Sequence, residues 1–145
     1  MEEVNMNVDG KDLEKEFTLI LLFNENDTKV LLQKKIRGNY PNCWNGVGGH
    51  LKHGETPLVG ARREVEEETG ISTWNLDFIC KIRFYNYVIL HCFCGRVNEK
   101  DVKQVEDEPL QWFSLLEVDN LSLAGDGNLP WLINESLGIF MRKGK

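Results

Sequence analysis

The sequence predicts an α/β sandwich, and three observations carry that expectation. Residues 56–70 contain the start, the apolar stripe and the stop of one amphipathic helix. Short apolar runs of strand character lie on both sides of it, at 17–23 and 29–35 before and at 76–84 and 87–97 after. A second helical pattern occupies 129–137. Helices interleaved with strands in this way pack as layers, helix against sheet. At 145 residues the chain suits one domain with a real core, and no repeat, linker or second domain interrupts residues 1–145.

The elements follow in order. Residues 1–15 read as a weakly paired leader, acidic and polar, and not as a secretory signal. The run FTLILLF (17–23) reads as a buried strand. Asn24, Glu25, Asn26 and Asp27 supply turn chemistry, and KVLLQKK (29–35) returns as the second strand of a hairpin. RGNYPNCW (37–44) is a loop, and 45–50 delivers the chain to the helix. Thr56 can cap that helix, and Pro57 suits its first position. Leu58, Ala61 and Val65 form the apolar stripe at i, i+3 and i+7, and Gly70 is the stop. The stretches 76–84 and 87–97 are rich in Ile, Val, Phe, Tyr and Cys, as strands are. A polar turn region covers 98–105, a strand 109–113 (PLQWF), a turn of helix 114–120, and a turn 126–128 precedes the last helix.

Composition narrows the function. Hydrophobic residues make up 41 % and charged residues 28 %, as in globular proteins. No apolar run approaches the ~20 residues needed to cross a bilayer, so no membrane partner is expected. A net charge of −6 argues against a nucleic acid polymer as partner, which calls for a basic footprint. It suits a nucleotide enzyme whose metal ions bring the positive charge. The cysteines, Cys43, Cys80, Cys92 and Cys94, form no CxxC pair, so neither a zinc site nor a redox motif is expected. Cys92 and Cys94 share one strand face as small apolar residues, and a reducing cytoplasm is the expected location.

The chemistry is concentrated in 48–71. Glu64, Glu67 and Glu68 stand at i, i+3 and i+4, on one helix face. Unneutralised, such pairs cost a helix roughly 0.2–0.5 kcal/mol each. A hard divalent cation removes that cost, since Mg²⁺ takes one or two carboxylates plus substrate phosphates. The competing reading is a solvated acidic face. Gly48 and Gly49 let the backbone come close to a ligand.

Gly49, then Glu55, then Arg63-Glu64-Val65, Glu67-Glu68 and Gly70-Ile71 fall at the spacings of the Nudix box, and every fixed position is filled. The chain therefore resembles the Nudix hydrolases over 49–71. That resemblance implies a Nudix-type α/β/α sandwich with a mixed central sheet. It also implies hydrolysis of a nucleoside diphosphate linked to another group, with Mg²⁺ as cofactor and Mn²⁺ as a substitute. On the matching positions, Glu64, Glu67, Glu68 and the carbonyl of Gly48 are implied metal ligands, and Glu64 is also the candidate base. Arg63 orients a neighbouring glutamate through a bidentate pair, and Glu55 stands behind the ligands. Another carboxylate comes from Glu106, Asp107 or Glu108. Glu106 has the spacing to Trp112 found in MutT-type enzymes.

The sequence WNGVGG (44–49) resembles the oxidised-purine nucleoside triphosphatases within the family. By that likeness Asn45 reads a purine edge, for which an amide is chemically suited. The bland alternative for Asn45 is a backbone turn bond. Lys35 then lies near phosphate or sugar, Phe84 packs against the base, and Asp126 reads the purine. Two positions depart from that subgroup: Ala124 replaces a stacking tryptophan, and Gly127 replaces the second of two aspartates. The expected reaction is hydrolysis of a nucleoside triphosphate to monophosphate and pyrophosphate, by a monomer or homodimer. A dinucleoside polyphosphate or nucleotide-sugar pyrophosphatase, for which Tyr85 and Tyr87 speak, is the alternative. A catalytically silent nucleotide sensor is a third.

Overall fold

The structure, a computed structural model, describes residues 14–38, 40–85, 87–124 and 128–144. Its spine is β1 (Lys15–Phe23). On one edge β1 runs parallel to β6 (Val88–Arg96), from Lys15↔Val88 to Phe23↔Arg96. The other edge is shared by two strands. β2 (Lys29–Lys34) pairs with β1 at Leu22↔Leu31 and Phe23↔Val30. β4 (Val47–His50) takes the rest, from Ile20↔Val47 to Phe17↔His50. Where β2 has left β1, β3 (Trp44–Asn45) pairs with it instead. β7 (Leu110–Ser114) lines the far edge of β2, and β5 (Asp77–Phe84) lies antiparallel outside β6. The result is a mixed seven-stranded sheet, as the resemblance implies.

One helix covers each face. α1 (Pro57–Thr69) begins as expected, with Thr56 Oγ1 accepting from Val59 N at 3.3 Å. It ends at Gly70, whose φ of 78° is left-handed and whose N–H donates to the Glu66 carbonyl. Its Ala61 and Val65 are buried with Ile20, Leu22, Leu31, Val47 and Phe93. α2 (Asn128–Arg142) sets Leu129, Leu132, Ile133 and Phe140 against Leu19, Leu21, Phe23, Val30 and Leu32. β1 thus feeds both cores on alternate residues, which is why its sequence is continuously apolar.

Beyond shifts of a residue at strand ends, the structure differs from the sequence reading in the following places. Residues 45–50 form β4 and part of β3, because their pairing comes from β1 and β2, not from a side-chain pattern of their own. β1 starts at Lys15, inside the expected leader, because β6 supplies backbone partners there; residues 1–13 lie outside the described ones. α2 runs past Gly138 to Arg142, since Phe140 still has a core partner, the edge-on ring of Phe23 at 5.4 Å. In 114–120 the helical part is the short 3₁₀ turn Val118–Asn120. Cys92 and Cys94 are buried beneath α2, and burial pushes both thiols up, Cys94 to about 11. No helix among the described residues is long and apolar enough to cross a membrane.

Candidate active site

α1 crosses β4 so closely that a Cβ on Gly49 would sit 2.4 Å from Glu64 Oε2. Glu64 is only 7 % exposed. Next to it Arg63 spends its guanidinium on the protein. Nε and Nη2 fork onto Glu55 at 2.7 and 3.0 Å, and Nη2 also donates to the His50 carbonyl at 3.0 Å. Nη1 reaches Glu64 Oε2 at 3.2 Å and Glu67 Oε1 at 3.0 Å. Arg63 therefore orients three carboxylates, in a geometry lysine cannot reproduce. The Arg63 hydrogen bonds hold the Glu55 carboxyl at about 2, and the Lys52 N–H, 2.9 Å from Glu55 Oε1, adds to this. Glu55 stands behind Arg63, as a residue that fixes the clamp.

Glu68 is held from the sheet. Its carboxylate accepts a hydrogen bond from Gln33 Nε2 on β2, a contact the sequence reading missed. Burial raises the proton affinity of both Glu64 and Glu68. Glu67 raises Glu64 further, while Glu64 and Glu106 raise Glu68. Arg63 and Gln33 oppose these effects without cancelling them. The helix face is short of positive charge.

The three loop acids separate by their partners. Glu108 accepts from Ile36 N at 2.8 Å and from Lys35 Nζ at 3.1 Å. Burial pushes its carboxyl up, but these two donors outweigh burial and hold it below the usual range. Asp107 pairs with Arg37 at 2.6 Å on the exposed side. Glu106 is the one of the three whose charge acts on Glu68. Lys35 is brought to the site as well, paired with Glu108 and lowering Glu68.

The base-reading candidates are less gathered. Asn45 lies across the ladder from Gln33, and its Oδ1 accepts from Gly46 N at 2.9 Å, the backbone turn bond. Phe84 sits half-buried at the end of β5, two strands away from β1. Ala124 is buried, with its N–H on the Trp44 carbonyl at 2.8 Å. Asp126 and Gly127 lie outside the described residues.

Among the described residues, no three Asp, Glu, His or Cys side chains converge as a metal cage. Arg63 draws Glu64 one way and Gln33 draws Glu68 another. The donor set is nonetheless all oxygen, on a face with excess negative charge. That fits a hard divalent cation which completes its shell with water and phosphate.

A family model described as NUDIX domain matches residues 15–132. The chain belongs to the Nudix family. It is a Nudix hydrolase, and Nudix hydrolases generally use a divalent metal. This Nudix hydrolase is 33 % identical over 107 residues to the oxidized purine nucleoside triphosphate hydrolase of Mus musculus, covering 70 % of this chain and 67 % of the relative. To the protein of the same description from Danio rerio it is 30 % identical over 136 residues, covering 88 % and 86 %. Its fold is similar to the NUDIX domain of Shewanella oneidensis NrtR, solved with ADP ribose, at a TM-score of 0.76 and 17 % identity over 94 % of each chain.

Proposed function

We propose that this Nudix hydrolase is a Mg²⁺-dependent nucleoside triphosphate pyrophosphohydrolase that releases a nucleoside monophosphate and pyrophosphate, with oxidised purine nucleotides such as 8-oxo-dGTP among its substrates. The observation that carries this reading is the pair of buried Glu64 and half-buried Glu68, on one helix face with more negative charge than Arg63 offsets. Glu64, Glu67, Glu68, Glu106 and the Gly48 carbonyl would hold the metal. Bound there, it supplies positive charge for the phosphate oxygens and lowers the pKa of a bound water. Arg63 aligns Glu64 and Glu67, and Glu55 keeps Arg63 in place. The burial that raises Glu64's proton affinity suits its carboxylate to take the proton of the attacking water. Glu108 holds Lys35 where its ammonium can meet phosphate.

The oxidised-purine preference draws on the two curated relatives and on Asn45. Ala124 in place of a tryptophan points to a base pocket wider than theirs. The second reading, a dinucleoside polyphosphate or nucleotide-sugar pyrophosphatase, is favoured by Tyr85, whose ring stands 98 % exposed beside the β5–β6 turn. Free nucleotide in the cytoplasm, not a nucleic acid polymer, is the proposed substrate pool. The test is a panel of dNTPs, oxidised dNTPs, dinucleotides and nucleotide sugars with Mg²⁺, ranked by kcat/KM with products identified. Pyrophosphate and a monophosphate are expected. Two nucleotides or a sugar phosphate as products would establish the second reading, and absence of any turnover would leave a silent binder.

A pH dependence follows. Burial lifts Glu64 and Glu68 above the ordinary carboxylate range, so protons compete with the metal at less acidic pH than they would at exposed glutamates. Mg²⁺ affinity, measured by calorimetry, is expected to fall as the pH is lowered, beginning at a less acidic pH than exposed glutamates would set. An affinity that begins to fall only in the range of exposed glutamates would contradict the assignment of these two side chains as ligands.

A further inference from the structure

Gln33 is a polar side chain where the fold asks for an apolar one. It is 1 % exposed, on a strand whose neighbouring inward residues are Val30, Leu31 and Leu32. Burying an amide without partners is unfavourable, because the water it loses is not replaced. Gln33 Nε2 is satisfied by Glu68, but Oε1 has no hydrogen-bond partner. Turning the amide over does not help, because it would aim Oε1 at a carboxylate oxygen. The backbone is fixed on both edges, by Asn45 on β3 and Leu110 on β7, so the side chain sits on a rigid mount.

The division of labour is informative. Arg63 holds Glu55, Glu64 and Glu67. It makes no bond to Glu68, which Gln33 holds from the opposite layer. We propose that Gln33 is the positioning residue for Glu68: its N–H fixes one carboxylate oxygen, and its unpartnered carbonyl accepts a hydrogen bond from the water shell of the cation Glu68 binds. A hydrated Mg²⁺ keeps several waters, each a strong donor, so a buried acceptor left open beside a ligand has a use. This inference rests on the metal-platform reading of α1.

The experiment is a mutant cycle read by Mn²⁺ binding to the nucleotide-free protein, followed as loss of the free-ion electron paramagnetic resonance signal. Gln33→Met keeps the side-chain length and removes the amide. It is expected to weaken Mn²⁺ about tenfold, the usual scale for a residue that orients a ligand, and to lower kcat with KM for nucleotide little changed. In a Glu68→Gln background the same substitution is expected to add nothing, since Gln33 acts through Glu68. If Gln33→Met does not fold, Gln33→Asn, which keeps the amide but falls short of Glu68, is read in the same way. Unchanged Mn²⁺ affinity, or losses that add in the double mutant, would overturn the role of Gln33 while leaving the proposed function standing. A wild-type protein that binds no Mn²⁺ at all would overturn both.

Discussion

Glu68→Gln is expected to cut kcat about a thousandfold, some 4 kcal/mol of transition-state stabilisation, and at the same time to raise the melting temperature of the metal-free protein. The two effects share one cause. Burial, with Glu64 and Glu106 nearby, raises the proton affinity of Glu68 in the folded state. A carboxyl whose folded pKa lies above its unfolded one favours the fold at acid pH. That advantage is lost as pH rises through the ordinary range and then the raised one. At neutral pH the ionised side chain is a net burden. Glutamine removes the charge and can still accept from Gln33. A gain of about 1 kcal/mol, or a few degrees, is expected in chelator. Added Mg²⁺ should then raise the melting point of the wild type and leave that of the mutant almost unmoved. A mutant that melts lower than wild type in chelator, or turns over at the wild-type rate, would contradict the assignment.

The adjacent glycines of β4 are expected to fail differently. Gly48 has a φ of 154°, and a Cβ there would lie 2.0 Å from the Thr18 carbonyl oxygen. Backbone meets backbone, so the β1–β4 ladder must part. Gly48→Ala is expected to cost about 3 kcal/mol or more and to lower the melting point by around 10 °C. At Gly49 the obstacle is the end of the Glu64 side chain, 2.4 Å from the added Cβ. A side chain can swing aside, so Gly49→Ala is expected to melt close to wild type. Glu64 is displaced, however, and a displacement near 1 Å can cost about a hundredfold in rate. Melting curves and kcat on both variants check this contrast. An active, stable Gly48→Ala protein would remove the steric argument.

The parts of the site that could be read in the sequence are those written locally. Thr56, Pro57 and Gly70 mark the ends of α1 with cap chemistry that depends on near neighbours only, and the glutamate spacing follows from helix periodicity. Arg63 as an orienting residue was also legible, because its partners Glu64 and Glu67 lie within one turn. Gln33 was not, since its partner is 35 positions away and nothing in KVLLQKK says which side of the strand faces a carboxylate. Among Glu106, Asp107 and Glu108 only the likeness to MutT-type spacing favoured the first. Ion pairing to Lys35 and Arg37, some 70 residues upstream, is what occupies the other two. The strand character of 45–50 escaped because Gly-rich sequence carries no alternation, and its pairing is dictated from elsewhere.

One consequence concerns the order in which the protein is made. The parallel ladder between β1 and β6 joins residues 15–23 to residues 88–96. Antiparallel hairpins close early, but this ladder must wait for a long loop to be spanned, the kind of non-local closure that slows folding. During synthesis α1 emerges from the ribosome ahead of β6, the strand that completes its supporting layer. The acidic platform is therefore expected to be assembled late, because a 13-residue helix is marginal until the sheet backs it.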